Sequence, residues 1–449
     1  MHHAHRSTGL TALALGIAGA LAFGQVQASG FQLKENSVKA MGSAFAGSGV
    51  MTGDTSVVVN NPATMTQFEG TTVQTDLTVV DLSFEFNGGG TDVTGQPLTG
   101  GQGGEAGDII PVPAISVVHK LDNGLALGAM ISAPFGLKTE YDAGWVGRYY
   151  GQTSEVEIVD LALSAALDVI PERLSIGAGL IYSHADVTLS KAVDFGTILF
   201  GAGVPLPFAR PQAADGLAEV QGDDTGFGWL LGVNLRPTDK LAVGLSYRSE
   251  IDYDLGGEVD WTVPGNARAT FDAVGRGALF RDGPASAKLT TPATTSVALA
   301  YELNDRVTLM ATYVETGWES VKEVRIDFAN PDADSTEDFS WDTTRFMSVG
   351  GEYKLNEAWT LRAGFAYDET PTSLATRTPR LPDENRRWLS LGATWQFSEQ
   401  LDVSFGYSHI KPDTPQLAIV TPPQAGGQRL SGSYDSAVSL YGISAQYSF

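Results

Sequence analysis

From about residue 71 to the end, the chain keeps one metre: runs of roughly ten to fifteen alternating residues, joined by connections that are short, then long, then short again. The short connections, at 121–124, 169–173, 236–240, 302–306, 354–358 and 398–400, are rich in the Asp, Asn, Pro, Glu and Lys that tight turns use. Every second connection is a long loop. This asymmetry describes a transmembrane β-barrel, whose periplasmic turns only reverse the chain while its external loops are free to grow. The segments 71–86, 113–120, 125–133, 156–168, 174–190, 225–237, 241–251, 287–301, 307–324, 345–353, 359–368, 387–397, 401–409 and 434–449 make fourteen strands. An even number returns both ends of the barrel to the periplasm. The expected fold class is all-β, a 14-stranded antiparallel transmembrane barrel.

The last strand shows the pattern best. Ala437, Ser439, Tyr441, Ile443, Ala445, Tyr447 and Phe449 form a largely apolar face ending in aromatics, and Ser436, Gly442, Ser444, Gln446 and Ser448 form a polar one. Lipid belongs on the first side and lumen on the second. Residues 1–28 carry Arg6, an apolar stretch over 10–23, and small residues at Val26 and Ala28, which reads as an export signal cleaved after Ala28. Nowhere later is there an apolar run of about eighteen residues, so a membrane would be crossed with strands. The chain has no cysteine, and a closed sheet needs no disulfide. Its formal net charge of −24 argues against nucleic acid as a partner. Much of the acid falls in loops, at 215–224 and 332–342, as a solvated exterior.

Residues 29–70 do not alternate. They hold Gly42, Gly47, Gly49 and Gly53, then Asn61, Pro62 and Ala63. A barrel of this size has a lumen too wide for its own side chains to fill. With Phe31, Leu33, Met41, Phe45 and Val57 to Val59 to bury, the segment is expected to fold as a plug. The domains are therefore signal 1–28, hatch 29–70 and barrel 71–449.

The start Ser29-Gly30-Phe31-Gln32-Leu33, the Asn61-Pro62-Ala63 triplet, and the stretch from Trp359 to Gly364 through Arg377-Thr378-Pro379-Arg380-Leu381-Pro382-Asp383 to Trp388 resemble the FadL-type family of long-chain fatty acid transporters. The resemblance runs from Ser29 to Phe449. It implies a hatch that gates the barrel through Ser29, Gly30, Phe31, Asn61, Pro62 and Ala63, and passage of a hydrophobic ligand through the barrel wall. It also implies a lateral portal at a break in the third strand, where this chain has Ala133, Pro134, Phe135 and Gly136. Proline gives no N–H to a ladder and glycine weakens a strand, so pairing should fail there, although Pro134 could equally end the strand at an external loop.

Surface capture needs exposed apolar area. Leu199, Phe200, Val204, Leu206 and Phe208 are expected to form one wall of a ligand groove, and Leu279 and Phe280 the other; packing inside a folded loop cap is the alternative. The family resemblance places basic residues in the lumen for the ligand carboxylate, and Lys191 and Arg345 are the nearest candidates. A relative carrying aromatic hydrocarbons or alkanes would not need them.

An outer-membrane lipase is the rival from another class. There is no Gly-x-Ser-x-Gly elbow, and after the signal only His119, His184 and His409 remain, too scattered for a metal site. Ser183 precedes His184 and Ser408 precedes His409, but neighbours on a strand face opposite ways and cannot act as nucleophile and base. A hydrophilic porin is the second rival, disfavoured by the plug and the apolar loop. The expectation is a monomeric, non-enzymatic outer-membrane channel of a Gram-negative bacterium, without cofactor or metal, whose partners are membrane lipid and a hydrophobic small molecule.

Overall fold

The structure is a computed structural model describing residues 30–205, 209–422 and 427–449. The expected export signal, together with Ser29, Leu206 and Phe208, lies outside the described residues. Fourteen strands pair antiparallel around a closed barrel: β1 (Thr71–Thr91), β2 (Ile109–Lys120), β3 (Ala126–Glu140), β4 (Thr153–Ile170), β5 (Leu174–Asp194), β6 (Asp215–Thr238), β7 (Leu241–Arg248), β10 (Thr294–Asn304), β11 (Val307–Thr316), β14 (Thr344–Lys354), β15 (Trp359–Asp368), β16 (Arg386–Gln396), β17 (Leu401–Pro412) and β19 (Arg429–Ser448). Closure comes from β1 against β19, in unbroken register from Thr72↔Ser448 to Thr91↔Arg429. Thr71 and Phe449 exchange both backbone hydrogen bonds, at 3.0 and 2.9 Å, so no edge is left where the ends meet.

Alternation sorts the two faces. On β19, Tyr441, Ile443 and Tyr447 point outward, as does Phe449 just after it, while Ser436, Ser444 and Gln446 are buried inward. Leu163, Leu180, Phe227, Leu231 and Leu389 continue the apolar outer surface, and Ser164, Asn234, Ser348, Ser390 and Ser404 the inner one. An apolar exterior over a polar interior suits lipid outside.

Five further strands stand on the external side: β8 (Ile251–Thr262), β9 (Gly283–Thr291), β12 (Glu323–Phe328), β13 (Ser335–Asp338) and β18 (Gln416–Val420). Two expected strands span a break. The segment 287–301 is β9 and β10 separated at Pro292 and Ala293, and 307–324 is β11 and β12 separated by a 3₁₀ turn, Trp318–Ser320. Proline withholds its donor, so β9 leaves the barrel wall to pair with β8 and β12. A helix, Phe195–Gly201, and another, Gly265–Ala273, cap this external sheet.

Residues 31–68 are buried almost throughout and touch inward-facing residues on opposite sides of the barrel. They form α1 (Val38–Met41), α2 (Val57–Asn60) and a 3₁₀ helix, Pro62–Gln67. The wall makes room with inward glycines. A Cβ on Gly364 would lie 2.0 Å from the Ser43 carbonyl oxygen, and one on Gly442 2.6 Å from Met41 Cε.

Candidate ligand path through the barrel

The plug is held by buried polar contacts. Lys39 Nζ lies 2.9 Å from Asp402, donates at 2.8 Å to the Gly53 carbonyl, and donates at 3.0 Å to Gln446. Ser37 Oγ donates to Asp54 at 2.5 Å, and Gln74 Nε2 bridges Asp54 and Asp76. Asp76 in turn accepts the Val38 N–H at 2.9 Å, covering a donor that the start of α1 cannot pair internally. Replacing Lys39 by Met strands a buried carboxylate, which costs about 3–5 kcal/mol. The variant barrel should lose its heat-resistant gel mobility at a clearly lower temperature than the parent; equal temperatures would show the pin to be idle.

The Asn61-Pro62-Ala63 triplet opens the 3₁₀ helix. Asn61 caps it, accepting the Ala63 N–H at 3.2 Å, and Pro62 takes the first helical position, where its missing donor is not needed. Asn61 Nδ2 also donates to the Val233 carbonyl of β6 at 3.1 Å. Small residues let the triplet lie against the wall: a Cβ on Gly232 would meet Asn61 Oδ1 at 2.2 Å, and one on Gly177 would meet Ala63 N at 2.5 Å. The sequence reading missed these glycines. Their signal is position, since the period of two turns them inward at the depth of the plug.

At Ala133 and Pro134 the β3–β4 register slips, from Ser132↔Asp160 to Phe135↔Ile158, so two residues of β3 face one of β4. Pairing of β3 with β2 stops at Ile115↔Ile131. Above the gap the two sides rejoin, where Glu140 N donates to the Ala106 carbonyl and Lys138 pairs with Asp108 at 3.1 Å. The plug strand fills the space between. Leu33 N donates to the Pro134 carbonyl at 2.7 Å, Gly136 N donates to the Phe31 carbonyl at 2.8 Å, and Gln32 bridges Phe135. Backbone groups that the neighbouring strand cannot satisfy in lipid are thus satisfied from inside. Phe31 is ringed by Phe135, Trp318 and Trp341, with centroids 5.0 to 6.0 Å away. Gly30 has a φ of +62° and donates to Asp383 at 3.0 Å; a Cβ there would meet the Trp318 ring at 2.7 Å.

Three cavities matter here, two of them contiguous. The external one, about 610 Å³, is bounded by Lys191, Ile198, Trp261, Phe280, Phe328 and Arg380, among others. An almost wholly apolar cavity of about 70 Å³ shares Leu189, Ile326, Glu337 and Arg380 with it and ends on Phe31 and Trp341. Behind the β3 kink lies a third, of about 120 Å³, lined by Gln32, Lys34, Pro134, Phe135 and Arg248 among others. Burial pushes the Lys34 ammonium below the usual lysine range, against the pull of Asp368 and Glu35.

The expected groove has a different make-up. Leu199 is buried with Phe195, Ala267 and Phe271, Val204 packs on the same cluster, Leu279 is half-buried, and Phe200 is 37% exposed. The apolar residues of the two loops pack on each other, Phe280 lying 5.1 Å and Phe271 5.9 Å from Phe195. Of the described groove residues, Phe280 is the one that also lines the external cavity. Its backbone has a φ of 55°, held by its N–H donating to Asp332 at 2.9 Å. The facing wall comes instead from Ile326, Phe328 and Glu337.

The two carboxylate candidates part company. Lys191 lines the external cavity and donates to Ser335 at 3.4 Å. Arg345 is the correction: alternation turns it to the outer face, half exposed and 3.7 Å from Glu369, so it lines none of these cavities. Arg380 lines both the external and the apolar cavity, with Nε 2.8 Å from Glu337 and Nη1 donating to Ser154 at 2.9 Å. Its sequence signal was a cluster of arginines in an acidic chain, Arg377 and Arg380 in one loop and Arg386 and Arg387 opening β16.

The family described as outer membrane protein transport protein (OMPP1/FadL/TodX) matches residues 19–449. Outer membrane protein P1 of Haemophilus influenzae is 28% identical, over 96% of this chain and 97% of that protein. The long-chain fatty acid transport protein of Escherichia coli O6:H1 is 26% identical, over 99% and 100%. The crystal structure of a Pseudomonas aeruginosa FadL homologue superposes with a TM-score of 0.88 at 28% identity, covering 94% of this chain and all of that one. The Ralstonia pickettii toluene transporter TbuX shares the fold, with a TM-score of 0.62 at 20% identity, over 94% and 99%. The chain is therefore a Gram-negative outer-membrane barrel and belongs to the FadL/TodX family of transporters for hydrophobic molecules.

Proposed function

We propose that this protein takes up long-chain fatty acids or similar hydrophobic molecules, capturing them outside, holding them in the lumen and releasing them sideways at the β3 break. The observation that carries this is the shared boundary of the outer two cavities. Arg380 lies where a mixed polar and apolar space passes into an apolar one that ends on Phe31. A carboxylate at Arg380 leaves the alkyl chain to the apolar cavity, and a charge-assisted hydrogen bond there contributes about 1.5–3 kcal/mol.

Withdrawal of Phe31 from its aromatic ring, with loss of the Leu33 and Gly136 hydrogen bonds, would open the way to the kink. That step is binding and gating without chemistry. It needs no energy source beyond consumption of the ligand downstream, and one barrel suffices. Aromatic hydrocarbon or alkane uptake is the second reading; a named toluene transporter shares the fold, and the apolar cavity would accept such a ligand.

The test is uptake of labelled oleate, with toluene as comparison, by cells lacking their own transporter. Oleate uptake that falls about tenfold or more in Arg380→Gln, and falls again when Asn61 to Ala63 are replaced, supports the fatty acid reading. Toluene uptake alone would move the protein to the hydrocarbon branch.

A further inference from the structure

The third cavity, behind the β3 kink, holds groups the Arg380 site does not use. Two of its lining residues are cationic, Lys34 and Arg248, and none of the described ones is acidic. Arg248 Nη1 lies 2.7 Å from Asp160 Oδ2, yet Arg248 Nε and Nη2 and Asp160 Oδ1 are buried without a hydrogen-bond partner. A guanidinium is a planar fork suited to two parallel bonds, and a single-pronged contact leaves most of it idle. Each buried donor left unmade is costly, the more so on a charged group. Arg248 also faces the kink itself, with its guanidinium 5.8 Å from the centre of the Phe135 ring. Lys34 Nζ approaches from the plug side, 4.4 Å from the centre of the Phe346 ring.

We propose that Arg248 is a second carboxylate station, set at the lateral break, which takes the head group of an alkyl carboxylate as it leaves the apolar cavity. The inference rests on the fatty acid reading above. An anion with two oxygens pairs the idle edge of the fork, and Lys34 closes the site from the plug. The volume of about 120 Å³ admits a head group and the first methylenes, while the rest of the chain still lies towards Phe31 or has passed into the gap. A neutral hydrocarbon leaves the fork unpaired and gains nothing from it.

Initial uptake rates of labelled oleate and labelled methyl oleate, in cells lacking their own transporter, test this. Arg248→Gln alone would strand Asp160, so the variant is Asp160→Asn with Arg248→Gln, and Arg248→Lys is made beside it to keep the charge and remove the fork. Heat-dependent gel mobility identifies closed barrels. The oleate rate, normalised to methyl oleate, should fall about tenfold in the double variant and severalfold in Arg248→Lys. If the double variant does not close, Arg248→Lys decides. A normalised rate equal to the parent's in closed barrels overturns the second station while leaving the fatty acid reading intact. Absence of oleate uptake by the parent overturns both.

Discussion

Deleting Ala133 and replacing Pro134 by valine should cut oleate uptake at least tenfold without disturbing assembly. The slip between Ser132↔Asp160 and Phe135↔Ile158 disappears when one residue of β3 again faces one of β4. Valine restores the N–H that proline lacks, and β3 can then run straight beside β2. The plug strand loses the Pro134 carbonyl to which Leu33 donates. The external cavity has no lining residue on β3, so binding of oleate to purified protein should persist while transfer stops. That split separates a sealed wall from a damaged pocket. Unchanged uptake by a closed variant barrel would eliminate the lateral route.

Gly364→Val is expected to be as severe in the opposite sense. Its Cβ would sit 2.0 Å from the Ser43 carbonyl oxygen, backbone against backbone, so no side-chain rotation can relieve it. Either the plug shifts or β15 bows. Because β15 is tied on both sides, to β14 over Phe346 to Lys354 and to β16 over Arg386 to Trp395, the plug is the part that gives. Planar-bilayer recordings should then show open conductance absent from the parent. A closed barrel that stays electrically silent would show the plug to be more deformable than its burial implies.

How much of this was legible beforehand divides along a physical line. The barrel strands announce themselves because each one repeats the same local contrast between lipid and lumen, as in Tyr441, Ile443 and Tyr447 against Ser444 and Gln446. The external strands repeat it too, which is why β9 ran into β10 in the sequence and the break at Pro292 passed unnoticed. The kink at Pro134 was legible for the reason that proline is always legible: it withholds a donor. Whether that break ends a strand or opens a wall depends on β2, which stops pairing at Ile115, and on residues about a hundred positions earlier that fill the gap. Which basic side chain faces the cavities was not legible even where arginines cluster, since Lys191, Arg345 and Arg380 are distinguished by the direction in which the folded chain turns them.

The seam between β1 and β19 has a kinetic meaning. It unites segments that lie at opposite ends of the barrel sequence, and so it carries the largest loop-closure entropy of any strand pair in the wall. The plug precedes β1 directly, so the strand that closes the barrel is also the one that tethers residues 31–68. The hydrogen bonds between Thr71 and Phe449 thus fasten the vessel at the very point from which its stopper hangs.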